Sequence, residues 1–194
     1  MKRMASLDLS HFVWEGCNGA YDQYPSWMHD NNSIQSYEIR RGGVLETDEV
    51  LNFYLGNPRR ILKVSSGFFP TCSDDFLIHD DTVEEVSQLF DASEFQLIKA
   101  KIQHPGGIME QYWVLKPTLV FDVVDSESPN VKHIELIDTI VSWKRLDIIE
   151  GMEVDANFFR DRRTGLVFVS QKLKEKIQHC CNDCIFLRPS GYRR

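Results

Sequence analysis

The last quarter of the chain constrains its fold more than any other part. Residues 158–188 read FFRDRRTGLVFVSQKLKEKIQHCCNDCIFLR. The run 166–169 is β-branched and aromatic, which predicts a strand. Ser170 suits the N-cap of a short helix that carries Leu173 and Ile177 on one face. Residues 185–187 are apolar again, so we predict that this quarter folds as strand, helix, strand.

The rest of the sequence mostly predicts strands. Thr82 and Glu85 have capping-box spacing and are followed by an apolar helical face, which predicts a helix over 82–90. Residues 48–55 suit a helix or a strand equally. Pro117 indicates an edge position or a break into two strands. Strands are predicted at 11–14, 37–39, 61–64, 95–102, 111–124 and 132–143. The sum is an α+β fold with a mainly antiparallel sheet and two to four short helices.

Length and composition predict one domain over residues 1–194. A 194-residue chain with 42% hydrophobic residues can bury a core without disulfides or metals. The sequence has no apolar run of membrane-spanning length and no secretory signal pattern at its start, which predicts a cytoplasmic protein without a membrane partner. Five cysteines, an odd number, fit a reducing compartment.

Charge is distributed unevenly along the chain. The formal net charge is −7, which disfavours nucleic acid as a partner. No Lys or Arg occurs between Lys63 and Lys99, an interval rich in Asp and Glu. Such a one-signed segment either keeps the protein soluble or attracts a basic macromolecule. For the second case the candidate partner-binding residues are Asp74, Asp75, Asp80, Asp81, Glu84 and Glu85.

Residue patterns for catalysis or metal binding are weak, and we predict no catalytic residue, metal or cofactor. Cys181 and Cys184 have redox spacing, but they follow a helix C-terminus, where the dipole raises a thiol pKa rather than lowering it. A second cysteine pair for zinc is missing from the sequence. Asp122, Asp125 and Glu127 could serve as acid, base or magnesium ligands, yet their position suits a solvated turn.

Several motifs resemble one bacterial family. Phe158-Phe159-Arg160 followed by Val169-Ser170 and Leu173-Lys174 is similar to the C-terminal signature of an immunity protein family of polymorphic toxin systems, a former domain-of-unknown-function group. Tyr112-Trp113-Val114-Leu115 and the segment 122–128 resemble its central pattern. The likeness covers roughly 60–190, so 60–190 is the family-like core of an immunity-type domain and 1–55 a variable N-terminal subregion. The turn at 179–184 departs from the family, which usually has glycine there.

The resemblance implies a non-enzymatic inhibitor. Proteins of this kind bind a cognate toxin domain and block its active site, and many such toxins are nucleases with basic substrate clefts. The acidic residues named above would then contact the toxin. The alternatives are an enzyme, for which the sequence offers no convincing group of residues, and a general protein-interaction or regulatory scaffold without a protective role.

Overall fold

The computed structural model describes residues 10–17, 26–28, 34, 38–39, 41–55, 68–71 and 75–192. Two sheets and a separate hairpin make up most of this part. The strands are β1 His11–Cys17, β2 Ser26–Trp27, β3 Leu51–Tyr54, β4 Phe69–Pro70, β5 Phe76–His79, β6 Phe95–His104, β7 Gly107–Pro117, β8 Val120–Phe121, β9 Val131–Ile134, β10 Thr139–Trp143, β11 Phe158–Asp161, β12 Val167–Ser170 and β13 Cys184–Leu187. The α-helices are α1 Val83–Leu89 and α2 Gln171–Cys180.

The first sheet has the strand order β13-β1-β12-β11-β8, and the second has β2-β3-β6-β7-β5-β4. Every pairing is antiparallel except β3 with β6 and β8 with β11. The third unit is the β9–β10 hairpin. This confirms an α+β fold with mainly antiparallel sheets. The described residues contain two α-helices, where two to four were expected. Neither is long and apolar enough to cross a membrane.

One aromatic cluster joins the two large sheets. Trp14 of β1 is 3% exposed and stacks on Phe76 of β5, with ring centroids 4.1 Å apart. Phe158 of β11 meets the same indole edge-on at 6.1 Å. Helices α1 and α2 close this cluster with Val86, Leu173 and Ile177, all buried. Burial of large aromatic and aliphatic side chains is the main source of stability here.

The strand, helix and strand predicted for the C-terminal quarter are present as β12, α2 and β13. Strand β11 precedes them and was not predicted; it pairs with β12 in antiparallel register, with Phe159 opposite Phe168. Ser170 is the N-cap of α2, and its hydroxyl accepts a hydrogen bond from the Leu173 amide at 3.2 Å. Leu173 and Ile177 are the buried residues of this helix. The chain then returns as β13 beside β1.

Three predictions from the pattern were wrong in detail. The capping box at Thr82 does not form, because residues 80–82 make a 3-10 turn in which the His79 side chain accepts from the Asp81 amide instead. The single strand predicted over 132–143 is the β9–β10 hairpin, interrupted by a 3-10 turn at 135–137. Residues 38–39 are helical rather than extended. The strand predicted at 61–64 lies outside the described residues.

Other predictions were confirmed. Residues 51–54 of the ambiguous segment form strand β3. The predicted break at Pro117 is real, since β7 ends there and β8 begins at Val120. The helix predicted over 82–90 corresponds to α1, with Val86 facing the core.

Candidate protein-interaction surfaces

The acidic residues predicted to bind a partner do not share one environment. Asp80, Asp81, Glu84 and Glu85 are exposed on the 3-10 turn and the first turn of α1, and we call these four the acidic face. Asp75 is fully buried and forms an ion pair with Arg160, so it is not available to a partner in this conformation. Asp74 lies outside the described residues.

The acidic face carries little compensating charge. Asp80 accepts a hydrogen bond from the Trp113 indole N–H, and Asp81 lies 3.2 Å from the His79 ring. Within the described part of the chain, none of the four carboxylates forms an ion pair with Lys or Arg. Two of them also lie in the first turn of α1, where the helix dipole stabilises negative charge. The face therefore presents concentrated negative charge to solvent.

Arg160 belongs to a buried ionic group between the two sheets. Its guanidinium pairs with Asp75 and also donates to the Gly165 carbonyl at 2.8 Å. The Lys116 ammonium is buried nearby and donates to the Gly43 carbonyl. Burial lowers the pKa of Lys116 to about 8, and Asp75 opposes that shift. Arg160 and Asp75 pair with each other inside the fold, so the role we assign to Arg160 is structural.

Asp161 organises the turn that follows β11. One carboxylate oxygen accepts the amide protons of Val123 and Val124 at 2.9 and 3.1 Å. The other accepts from the amide and hydroxyl of Thr164 at 2.8 and 2.7 Å. Burial raises the pKa of Asp161, and these hydrogen bonds offset part of that shift. These hydrogen bonds fix the turn that carries Arg162 and Arg163, directly after β11.

Arg162 and Arg163 form an exposed cluster with two carboxylates. Arg162 donates to both oxygens of Asp122, at 2.9 and 2.6 Å, and to Asp138 at 2.5 Å. Arg163 donates to Asp138 at 3.1 Å, and His133 lies 3.0 Å from the same carboxylate. Hydrogen bonds from Arg162 and His133 lower the pKa of Asp138 to about 2. The cluster ties the β9–β10 hairpin to the turn after β11.

The β9–β10 hairpin exposes apolar side chains beside that cluster. Leu136 is 94% exposed and Ile137 is 61% exposed. Together with Ile134 and Val141 they form what we call the hairpin surface. A cavity of about 480 Å³ lies next to it. Its lining consists of Arg41, Ile137, Asp138, Thr139, Arg162, Arg163, Thr164 and Gly165.

Sequence reasoning missed the hairpin surface because it treated 132–143 as one strand. In a single strand, Ile134 and Leu136 would alternate with polar residues and half of the set would be buried. The signal that was available is the run Ile134-Glu135-Leu136-Ile137-Asp138. It contains too many apolar residues for an ordinary polar turn.

The two surfaces lie toward opposite ends of β12. The β9–β10 hairpin contacts the turn just before β12, where the Ile140 amide donates to the Arg163 carbonyl at 2.9 Å. Ser170, the last residue of β12, is followed by α2, which packs against α1, the helix that carries Glu84 and Glu85. The acidic face has charge without apolar anchors, and the hairpin surface has apolar anchors with mixed charge.

The cysteine and carboxylate groups weighed for chemistry occupy ordinary positions. Burial and Glu85 raise the pKa of Cys180 to about 11, which opposes thiolate formation. Asp125 accepts from the Glu127 amide at 3.0 Å, as a turn residue does. Among the described residues, no group of three His, Cys, Asp or Glu side chains could hold a metal ion.

Comparison with known proteins adds no relative. No protein-family model matches the chain, and no curated protein sequence matches it significantly.

Proposed function

We propose that this chain is a cytoplasmic immunity protein that binds and neutralises a cognate bacterial toxin domain without catalysing a reaction. The acidic face is the observation that carries the proposal. Four exposed carboxylates on two short consecutive elements, with no Lys or Arg paired to them in the described part of the chain, suit a basic protein surface.

The C-terminal unit gives further support. The signature residues after Arg160 form a strand, a helix and a strand, the order that the resemblance implies, and Arg160 itself is buried. An inhibitor needs a rigid scaffold, because ordering a mobile surface on binding reduces affinity. The buried ion pair and the aromatic cluster provide that rigidity.

The toxin class follows from the charge. A nuclease must bind phosphates through concentrated Lys and Arg, so its cleft complements an acidic face. The exposed carboxylates would occupy the positions of the phosphates and exclude the substrate. Attraction of this kind raises the association rate and weakens as salt is added.

The proposal predicts a toxin gene beside the gene for this chain, and binding of its toxin domain to this chain tests the proposal. A triple variant, Asp81→Lys with Glu84→Lys and Glu85→Lys, reverses most of the acidic face but leaves Asp80 to hold Trp113. Its control reverses three exposed carboxylates elsewhere, namely Glu127, Glu150 and Glu153, for the same change in net charge.

We expect the face variant to associate at least about 10-fold more slowly at low salt, with little salt dependence left. The control should retain most of the wild-type association rate and its salt dependence. Equal behaviour of the two variants would show that net charge, not the acidic face, attracts the toxin. Absence of any complex with the wild-type chain at micromolar concentration would contradict the proposed function and favour an interaction module of another kind.

A further inference from the structure

Among the described residues, four of the exposed large apolar side chains belong to the hairpin surface, and the others are spread over different elements. Ile134, Leu136, Ile137 and Val141 belong to one short hairpin, whereas Ile108 at the β6–β7 turn is 58% exposed in a different unit. Single exposed apolar residues are common in soluble proteins, but contiguous ones mark places where another surface binds. Leu136, at 94% exposure, is the most prominent of the set.

The hairpin is held rigidly beneath its exposed tip. Ile140 and Trp143 on β10 are buried at 3% and 5% exposure in the core that also contains Phe159 and Phe168. Asp138, which ends the tip with a left-handed φ of 44°, accepts hydrogen bonds from Arg162 and Arg163. A tip fixed from below and from one side loses little conformational freedom when it binds.

The cavity beside the hairpin surface carries a net positive charge. Arg162 and Arg163 already have Asp122 and Asp138 as counter-ions. Arg41 lines the same cavity and is exposed, and it forms no ion pair within the described part of the chain. The three arginines of this cavity and the two carboxylates paired with them leave one net positive charge, and Arg41 is the group that can accept a new anionic partner.

We infer that the hairpin surface and Arg41 form the anchor that holds the toxin domain, through a recess on the toxin that is apolar and bordered by a carboxylate. Leu136 and Ile137 fill the recess, and the carboxylate pairs with Arg41. This inference rests on the proposed function. It divides binding between two surfaces, so that the acidic face sets the rate of association and the hairpin surface sets the rate of dissociation.

The kinetics of binding to the immobilised toxin domain separate these roles. The first variant combines Leu136→Asp with Ile137→Asp, and the second is Arg41→Glu. Their controls are Ile108→Asp, which adds a charge at an apolar position about as exposed as Ile137, and Lys172→Glu, which reverses an exposed cation on α2. Circular dichroism and thermal unfolding of each variant show that it is folded, as expected for exposed positions.

We expect the double variant to dissociate at least about 100-fold faster and Arg41→Glu about 10-fold faster, with association rates changed by less than about threefold. Both controls should stay within about twofold of the wild type. Wild-type dissociation rates in both test variants, with the complex still formed, would overturn the inference and leave the proposed function standing. No complex with the wild-type chain would contradict both together. A wild-type dimer that Leu136→Asp converts to a monomer would show that a second copy covers the hairpin, which also overturns the inference.

Discussion

Arg160 and Arg162 are two residues apart and serve opposite purposes. Arg160 is fully buried, pairs with Asp75 and joins the two sheets. Arg162 is 39% exposed at its side chain and pairs with Asp122 and Asp138 on the surface. Arg160 thus stabilises the fold from inside, whereas Arg162 fixes an exposed hairpin. Burial, rather than residue type or motif, decides which role an arginine takes.

The comparison predicts a large difference in stability between matched substitutions. Arg160→Met leaves the Asp75 carboxylate buried without its main partner, which we expect to lower the free energy of unfolding by about 3–5 kcal/mol. Arg162→Met breaks solvated ion pairs only, and should cost less than about 1 kcal/mol. Urea unfolding of both variants measures the difference. Similar losses in the two would show that burial does not separate these arginines.

Asp161 lies between the two arginines and is buried like Arg160, so its substitution should also cause a large loss in the free energy of unfolding. Asp161→Ala leaves the amides of Val123, Val124 and Thr164 without their acceptor, and we expect a loss of about 2–4 kcal/mol. Asp125→Ala is the control, because Asp125 accepts one exposed turn amide and should cost less than about 1 kcal/mol. Chemical denaturation of the pair tests whether buried acceptors matter more than exposed ones.

Lys116 gives the buried region a pH dependence. Its pKa is lowered to about 8 in the folded protein and is 10.5 ordinarily, so between these values the unfolded chain binds more protons than the folded one. Stability should therefore rise between about pH 8 and pH 10.5, because burial of the charged form no longer costs free energy. We expect the wild type to gain about 1–3 kcal/mol relative to Lys116→Met over this range. If the difference in the free energy of unfolding between the wild type and Lys116→Met does not change with pH in this range, burial does not lower the pKa of Lys116.

Asp138 should give the smallest effect. Its pKa is lowered to about 2, so its contribution is present above its ordinary value of 3.8 and lost as the pH falls toward 2. Asp138→Asn keeps a residue that tolerates the left-handed backbone, and at neutral pH we expect a loss below about 1 kcal/mol. Thermal unfolding at pH 6 and in acid measures this, with the variant and the wild type converging in acid.

Local patterns predicted the parts of the fold whose interactions are local. The helix after Ser170 follows from a cap and an apolar face, and the break at Pro117 follows from a missing amide proton. Sheet order could not be predicted, because β1 pairs with strands more than 150 residues away. Asp75 is buried because it pairs with Arg160, which is 85 residues away in the sequence. The local excess of acidic residues could not indicate this pairing, so Asp75 was wrongly predicted to lie on a binding surface.

The hairpin surface was missed for a related reason. Leu136 and Ile137 have the residue types of a buried strand, and only the 3-10 turn at 135–137 exposes them. The four acidic-face residues are exposed, as charged side chains usually are. Their contact with a toxin remains a prediction.

Growth rescue is the most direct test of whether this protein neutralises a toxin. The toxin domain encoded beside this gene is expressed in bacteria with the wild-type chain, with the Leu136→Asp and Ile137→Asp double variant, or with the Ile108→Asp control. We expect full growth and a co-purifying complex with the wild type and the control, and killing with the double variant. Killing in the presence of the wild-type chain, with no complex recovered, would contradict the claim that this protein neutralises a toxin.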